Sequence, residues 1–168
     1  MHDPTPKSDE LRSLSEMLCF AVYSTSHAFN RVYKTVLAPL GLTYPQYLAM
    51  RCLWECDQQT VGGLCGKLHL ESSTLTPLLK RLEGAGLIER SRDADDERQV
   101  RVRLTAAGRA LRARALSVPA SVFKLTGLSV ADGLRLHRTI TSLRDALDRR
   151  EPSAEEAEES ELSLAKVE

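Results

Sequence analysis

SSTLTPLLKRLEGAGLIERSRDADDERQVRVRL, residues 72–104, changes its hydrophobic period partway along, and that change decides the fold. In its first third, Leu75, Leu78, Leu79 and Leu82 recur at three- and four-residue steps. This is the buried stripe of a short helix, Ser73 to Glu83, capped by Ser72 and closed by Gly84 and Gly86. Beyond it the period drops to two. Leu87-Ile88-Glu89-Arg90 and Gln99 to Leu104 read as strands joined by the polar turn SRDADDE. In the second strand Val100, Val102 and Leu104 face one side while Arg101 and Arg103 face the other. Upstream, Thr60 caps a helix over 61–68 that contains Gly62, Gly63 and Gly66. Each of these costs about 1 kcal/mol against Ala, so neighbours must hold that helix. Two short helices joined by a tight turn make a helix-turn-helix, and the hairpin after it is a wing.

The flanks are helical. From Asp9 to Leu37 the residues Leu11, Leu14, Leu18, Val22, Phe29, Val32 and Val36 mark one long amphipathic helix, ended near Pro39-Leu40-Gly41. Thr43 caps a helix to Glu55 with Pro45 in its first turn, and Asp57-Gln58-Gln59 makes a turn. Thr105 caps a helix over 106–117 that Pro119 interrupts, and Ser129 begins a last helix over 130–150. The expected fold is mainly α with a small β-wing. Residues 1–10 form a flexible N-terminus and 11–150 the domain. Within it, helices of about 11–38 and 106–150 flank a winged helix-turn-helix of about 43–105. Residues 151–168 form an acidic tail expected to be disordered.

The 168 residues carry 23 basic and 23 acidic side chains, but not evenly. The tail holds seven Glu and one Lys, a charge of −6, and the first ten residues carry −2. Residues 11–150 therefore hold 21 basic and 13 acidic side chains, a net +8. A basic body points toward a polyanionic partner. No apolar run approaches the length that spans a bilayer, and no basic start precedes a long apolar stretch. Cys19, Cys52, Cys56 and Cys65 without a signal read as reduced thiols of a cytoplasmic protein.

On the second short helix, Ser72, Ser73, Thr74, Thr76, Pro77 and Lys80 are left outside the leucine stripe. Short hydroxyls, a helix N-terminus and a cation suit the phosphates and base edges of a major groove. The plainer alternative is a solvated polar face. In the wing, Asp96 can aim the Arg98 guanidinium into a narrow minor groove, or the two can form only an exposed ion pair. Arg90, Arg92, Arg101 and Arg103 favour the nucleic-acid reading. Residues 60–108, above all LESSTLTPLLKRLEGAGLIER followed by DADDERQVRVRLTAAG, resemble the MarR family of winged-helix repressors. The resemblance implies a homodimer that pairs its first and last helices and binds double-stranded DNA at a palindromic operator. Ser73 stands where a Gly is common in the hydroperoxide-sensing branch of the family, leaving the base contacts there open.

Cys19 and Tyr23 are four residues apart and share a helix face. Tyr33 and Tyr44 follow, and only Tyr47 of the four tyrosines lies outside this set. Taken alone, this is also the pattern of a buried structural cysteine near core tyrosines. Together with the DNA motif, residues 11–150 resemble that same branch, the organic hydroperoxide sensors (OhrR type). The resemblance implies that Cys19 is the redox-sensing residue, with Tyr33 and Tyr44 of the partner subunit orienting its sulfur and Tyr23 nearby. A thiolate attacks a peroxide O–O bond, and Met17, Leu18 and Phe20 offer an apolar entry for an organic hydroperoxide. No cysteine follows Cys65, so the chain resembles the one-cysteine type, whose sulfenic acid is captured by a small cytosolic thiol. Cys52, Cys56 and Cys65 are expected in the core. Cys52 with Cys56 and Cys65 with His69 do not make the close-spaced knuckles of a zinc finger, so neither metal nor cofactor is expected. Two other readings stand beside this one: a regulator that binds a small aromatic ligand noncovalently, and a thiol peroxidase.

Overall fold

A computed structural model of the chain describes residues 13–93 and 96–149. The N-terminal ten residues and the acidic tail lie outside the described residues, as does the middle of the wing turn. Helix α1 spans Leu18–Leu37. It starts later than the sequence pattern suggests. Ser13 and Glu16 close a capping box around a separate 3-10 turn, Leu14–Glu16, and Met17 is extended at φ −77° and ψ 124°. After a 3-10 turn over Ala38–Leu40, Gly41 takes φ +67° and reverses the chain. Helix α2, Tyr44–Glu55, begins at a second capping box, Thr43 with Gln46, and carries Pro45 in its first turn.

Strand β1, Gln59–Thr60, occupies part of the expected turn. The Gln59 amide ties it down by donating to the carbonyls of Cys52 and Cys56, both at 2.7 Å. Thr60 caps α3, Val61–Leu68, through the amide of Gly63. Helix α4 spans Ser72–Gly84, with Glu71 rather than Ser72 at the cap. Gly86 takes φ +70° to leave it. Strands β2, Ile88–Arg92, and β3, Val100–Leu104, pair antiparallel with Ile88 opposite Leu104 and Arg92 opposite Val100. β1 adds to the other edge of β3, so the sheet order is β1-β3-β2.

Helix α5 spans Ala106–Ala115, capped by Thr105 through Gly108 N–H. The chain then forms α6, Val118–Leu125, where the sequence suggested only an interruption. Pro119 is its second residue, a position where a missing N–H forfeits no helical bond. Helix α7, Val130–Asp148, is capped by Ser129.

The chain divides after Val122 into two compact units. In the first, one core joins Leu37, Met50, Leu53, Leu64, Leu75, Leu79, Leu82, Ile88 and Val102, all nearly inaccessible. These come from α1, α2, both helices of the helix-turn-helix and the sheet. Trp54 donates its indole N–H to the Gly108 carbonyl at 2.8 Å and so pins α2 to α5. In the second unit, Gly133 leaves room for the Phe123 ring, which lies 2.5 Å from where a Cβ would stand. Its helix α7 leaves Val130, Leu134, Leu136, Ile140 and Leu147 exposed. No helix among the described residues is long and apolar enough to cross a membrane.

Candidate DNA-binding and thiol-sensing site

Leu75, Leu78, Leu79 and Leu82 are buried, so α4 is anchored along one stripe and presents the opposite one. Ser73, Pro77 and Lys80 are exposed at successive turns of that opposite stripe, with Ser72 and Thr74 at its margins. No side chain caps the first turn of α4. The Thr74 amide donates to the Glu71 carbonyl at 3.0 Å, and no side chain caps the turn ahead of it, the arrangement that receives a phosphate at a helix N-terminus. Pro77 lies inside the helix. Its missing N–H leaves the Ser73 carbonyl without its helical donor on the outward stripe.

A cleft of about 420 Å³ opens between the helix-turn-helix and the wing. Ser72 and Thr76 of α4 line it together with Arg90, Arg98 and Gln99, so the geometry joins the α4 margin to the wing arginine. Thr74 and Pro77 line a separate hollow of about 200 Å³ against Thr43, Pro45, Gln46 and Arg81.

The wing's charges are arranged differently from the sequence expectation. Arg90 is bonded to Glu83, Arg103 to Glu89, and Arg101 to Asp93, whose side chain is only 5% exposed. Arg101 also donates to the Gln58 carbonyl at 2.8 Å, tying the wing to the residue before β1. Among the described residues Arg92 and Arg98 are the wing arginines without an ion pair. Asp96 does not aim the Arg98 guanidinium; it accepts from the Arg98 backbone N–H at 3.0 Å and from the Gln99 amide at 3.0 Å. That shapes the turn, and among the described residues the guanidinium has no ion pair. Sequence reasoning also passed over Asp57. Its carboxylate accepts from the Leu104 amide at 2.8 Å and from Arg109 at 3.2 Å, locking the end of β3.

Cys19 is exposed and is the second residue of α1. Tyr23 is exposed one turn on, between Phe20 at 6.3 Å and His27 at 4.3 Å between ring centroids. Tyr33 stacks on Tyr44 across the α1–α2 junction, with ring centres 3.9 Å apart and planes 17° from parallel. Tyr47, set apart in the sequence reading, belongs to this cluster: its ring lies 6.0 Å from Tyr33 and 6.2 Å from Trp54. Burial is the main reason Tyr33 is pushed up to about 12, with the phenols of Tyr44 and Tyr47 adding to it. Burial likewise raises Tyr44 and Tyr47. Fourteen residues of helix separate Cys19 from Tyr33, about 21 Å at 1.5 Å per residue. One chain therefore does not bring the cysteine to the stacked pair.

Cys52 and Cys65 are half-buried against the core, and burial pushes the Cys52 thiol up. Cys56 is a correction: it caps α2 and is exposed. Among the described residues no three His, Cys, Asp or Glu side chains converge as a metal site would require.

The MarR family model matches residues 42–100, which run from the residue before the α2 cap into β3. The transcriptional regulator TtmR of Methylorubrum extorquens is 45% identical over 88% of this chain and 75% of its own length. The organic hydroperoxide resistance transcriptional regulator of Bacillus subtilis is 40% identical over 84% of this chain and 95% of its own. Among solved structures, reduced AbfR bound to DNA superposes with a TM-score of 0.66 at 33% identity, covering 81% of this chain and 93% of that one. The chain belongs to the MarR family of winged helix-turn-helix transcriptional regulators.

Proposed function

We propose that the protein is a homodimeric DNA-binding repressor that senses organic hydroperoxides through Cys19 and releases a palindromic operator when that sulfur is oxidised. The observation that carries the reading is the separation just described. The exposed thiol and the stacked Tyr33–Tyr44 pair lie at opposite ends of α1, so a complete sensor needs two copies of the chain. Leu14, Leu18, Val22, Tyr23 and Phe29 leave an apolar face uncovered near the thiol, and α7 leaves another in its own unit. Such faces suit a dimer contact. The similarity to a hydroperoxide resistance regulator and to a DNA-bound regulator supports the same reading.

In this reading α4 enters the major groove with Ser72, Ser73, Thr74, Thr76, Pro77 and Lys80, and Arg98 enters the minor groove. Tyr33 and Tyr44 of one subunit donate hydrogen bonds to Cys19 of the other, with Tyr23 beside it. The thiolate sulfur attacks the hydroperoxide: an S–O bond forms, the O–O bond breaks, and the departing alkoxide takes a proton from water. A small thiol then condenses with the sulfenic acid, releasing water and leaving a mixed disulfide.

Intact-mass measurement alongside operator binding tests this. Hydroperoxide alone should add one oxygen at Cys19 with partial loss of binding. Hydroperoxide with a small thiol should add that thiol and abolish binding, and reductant should restore it. Cys19→Ser should stay bound under both treatments; its release on peroxide would rule the thiol mechanism out. A rapid disulfide from Cys19 to Cys52, Cys56 or Cys65 would contradict the one-cysteine route.

A further inference from the structure

The Tyr47 hydroxyl is the one buried side-chain polar atom among the described residues without a hydrogen-bond partner. The residue is 3% exposed, in the first turns of α2, with the Trp54 ring 6.2 Å and the Tyr33 ring 6.0 Å away between centroids. Burying a hydroxyl with nothing to bond is unfavourable, and a phenyl ring would fill the same space without that cost. Its neighbours show what it is placed to meet. Tyr33 stacks on Tyr44 with ring centres 3.9 Å apart, and the two phenols share a hydrogen bond. A phenol has one proton to give, so Tyr33 cannot serve Tyr44 and a sulfur together. Once Tyr33 turns its proton to a thiolate, its oxygen is left as an acceptor, and the Tyr47 ring, 6.0 Å away between centroids, carries the unused proton.

We propose that Tyr47 is a positioning residue of the sensor: its O–H donates to the Tyr33 oxygen while Tyr33 donates to the sulfur of the partner subunit's Cys19. This rests on the sensor reading above. The chain Tyr47 to Tyr33 to sulfur strengthens link by link, because each donated bond polarises the next O–H. Tyr47 is not consumed. The sulfur still loses two electrons to the peroxide oxygen, and the alkoxide still takes its proton from water. What Tyr47 adds is a fixed orientation for Tyr33 and a stronger bond to the charged sulfur before attack.

The test uses the full chain and cumene hydroperoxide, following oxygen addition at Cys19 by quenched-flow intact mass from pH 5 to 9. Tyr47→Phe should slow the first oxidation about threefold at neutral pH and displace the rate profile toward higher pH. It should leave the reduced protein's operator affinity unchanged and its melting temperature no lower. In a Tyr33→Phe background the same substitution should slow the reaction no further, since the middle link is already gone. An unchanged rate and profile would overturn the proposal, as would a slowing that persists in full without the Tyr33 hydroxyl. A lower melting temperature with an unaltered profile would show a structural hydroxyl instead, and would overturn it too. Failure of wild-type Cys19 to gain oxygen removes the sensor reading and this inference together. Normal wild-type oxidation with an unaffected Tyr47→Phe removes this inference alone.

Discussion

Arg98 and Arg101 stand three residues apart on the wing in opposite electrostatic circumstances. Arg98 has no ion pair among the described residues, whereas Arg101 is committed to the buried Asp93 and to the Gln58 carbonyl. Arg98→Ala should therefore lower operator affinity at least about tenfold, with an unchanged melting temperature, as expected for a lost minor-groove contact. Arg101→Ala should do the reverse to stability. Discounted because Arg101 is 43% exposed, the loss is about 1 kcal/mol, read by urea unfolding. Equal affinity losses in the two variants would refute this division. Composition could not have shown it: the excess of basic residues is legible in the sequence, but which arginines are already neutralised depends on partners 7 to 14 residues away. Glu83 gives a pH test of the same network. Its hydrogen bond from Arg90 holds the carboxyl below its ordinary 4.5. A lowered carboxyl stabilises the fold above its unfolded value and loses that contribution as pH falls through the folded one. Glu83→Gln should thus cost about 0.5–1 kcal/mol at pH 7, a screened and partly exposed pair. The difference should shrink steadily below pH 4.5. A constant difference across that range would mean the pair is not what Glu83 contributes.

At the scale of elements, α4 and the wing were readable because leucine spacing and strand alternation are set by burial, and burial decided both. The breaks were harder. Nothing in the apolar pattern marks Met17 as extended, since Leu14 and Leu18 keep helical spacing across it; the Ser13–Glu16 box is the local cause. The short β1 has no period of its own and exists through Gln59 and its pairing with β3. Tyr47 was misplaced for a related reason: its neighbour Tyr33 lies on another helix, and only tertiary packing joins them. Gly108 was likewise silent in the sequence. A Cβ there would stand 2.0 Å from the Leu87 carbonyl oxygen, the same carbonyl that accepts the Thr105 amide at 3.1 Å. Gly108→Ala should therefore push α5 off the α4–β2 junction and cost at least about 2 kcal/mol, seen as a lowered melting temperature in calorimetry. A variant melting with the wild type would show the junction to be more yielding than these distances imply. Lys80, exposed on the outward stripe of α4, tests the docking of that helix. Lys80→Ala should reduce the slope of log affinity against log salt by about two for the dimer, one per subunit, if each subunit places it on one phosphate without reading bases.

For the molecule as a whole, the proposed sensor phenols and the proposed DNA-reading surface belong to the first unit. Tyr33 of α1 packs on Tyr44 and Tyr47 of α2, and α2 shares its core with α3 and α4 through Met50, Leu53, Leu64 and Leu75. In the proposed mechanism, a displacement of the phenols therefore acts through that core on α4. In a dimer matched to one half-site spacing, a small change in each lobe suffices to lose the operator. Electrostatics acts at this scale too, and the last 18 residues are strongly acidic. Residues 151–168 carry −6 against the +8 of residues 11–150, and removing them takes the chain from zero to +6. If the segment only competes with phosphates for the basic body, its effect must decay over a screening length, about 30 Å at 0.01 M salt and about 8 Å at 0.15 M. Truncation after Arg150 should then tighten binding to a random-sequence duplex at 0.01 M salt, and the gain should largely vanish at 0.15 M. Operator specificity, set by groove contacts, should rise at neither. Fluorescence anisotropy at the two salt concentrations reads this directly, with sedimentation of the same samples reporting the dimer. A salt-independent gain, or a truncated chain that no longer dimerises, would mean the segment makes a packed contact rather than a screened one.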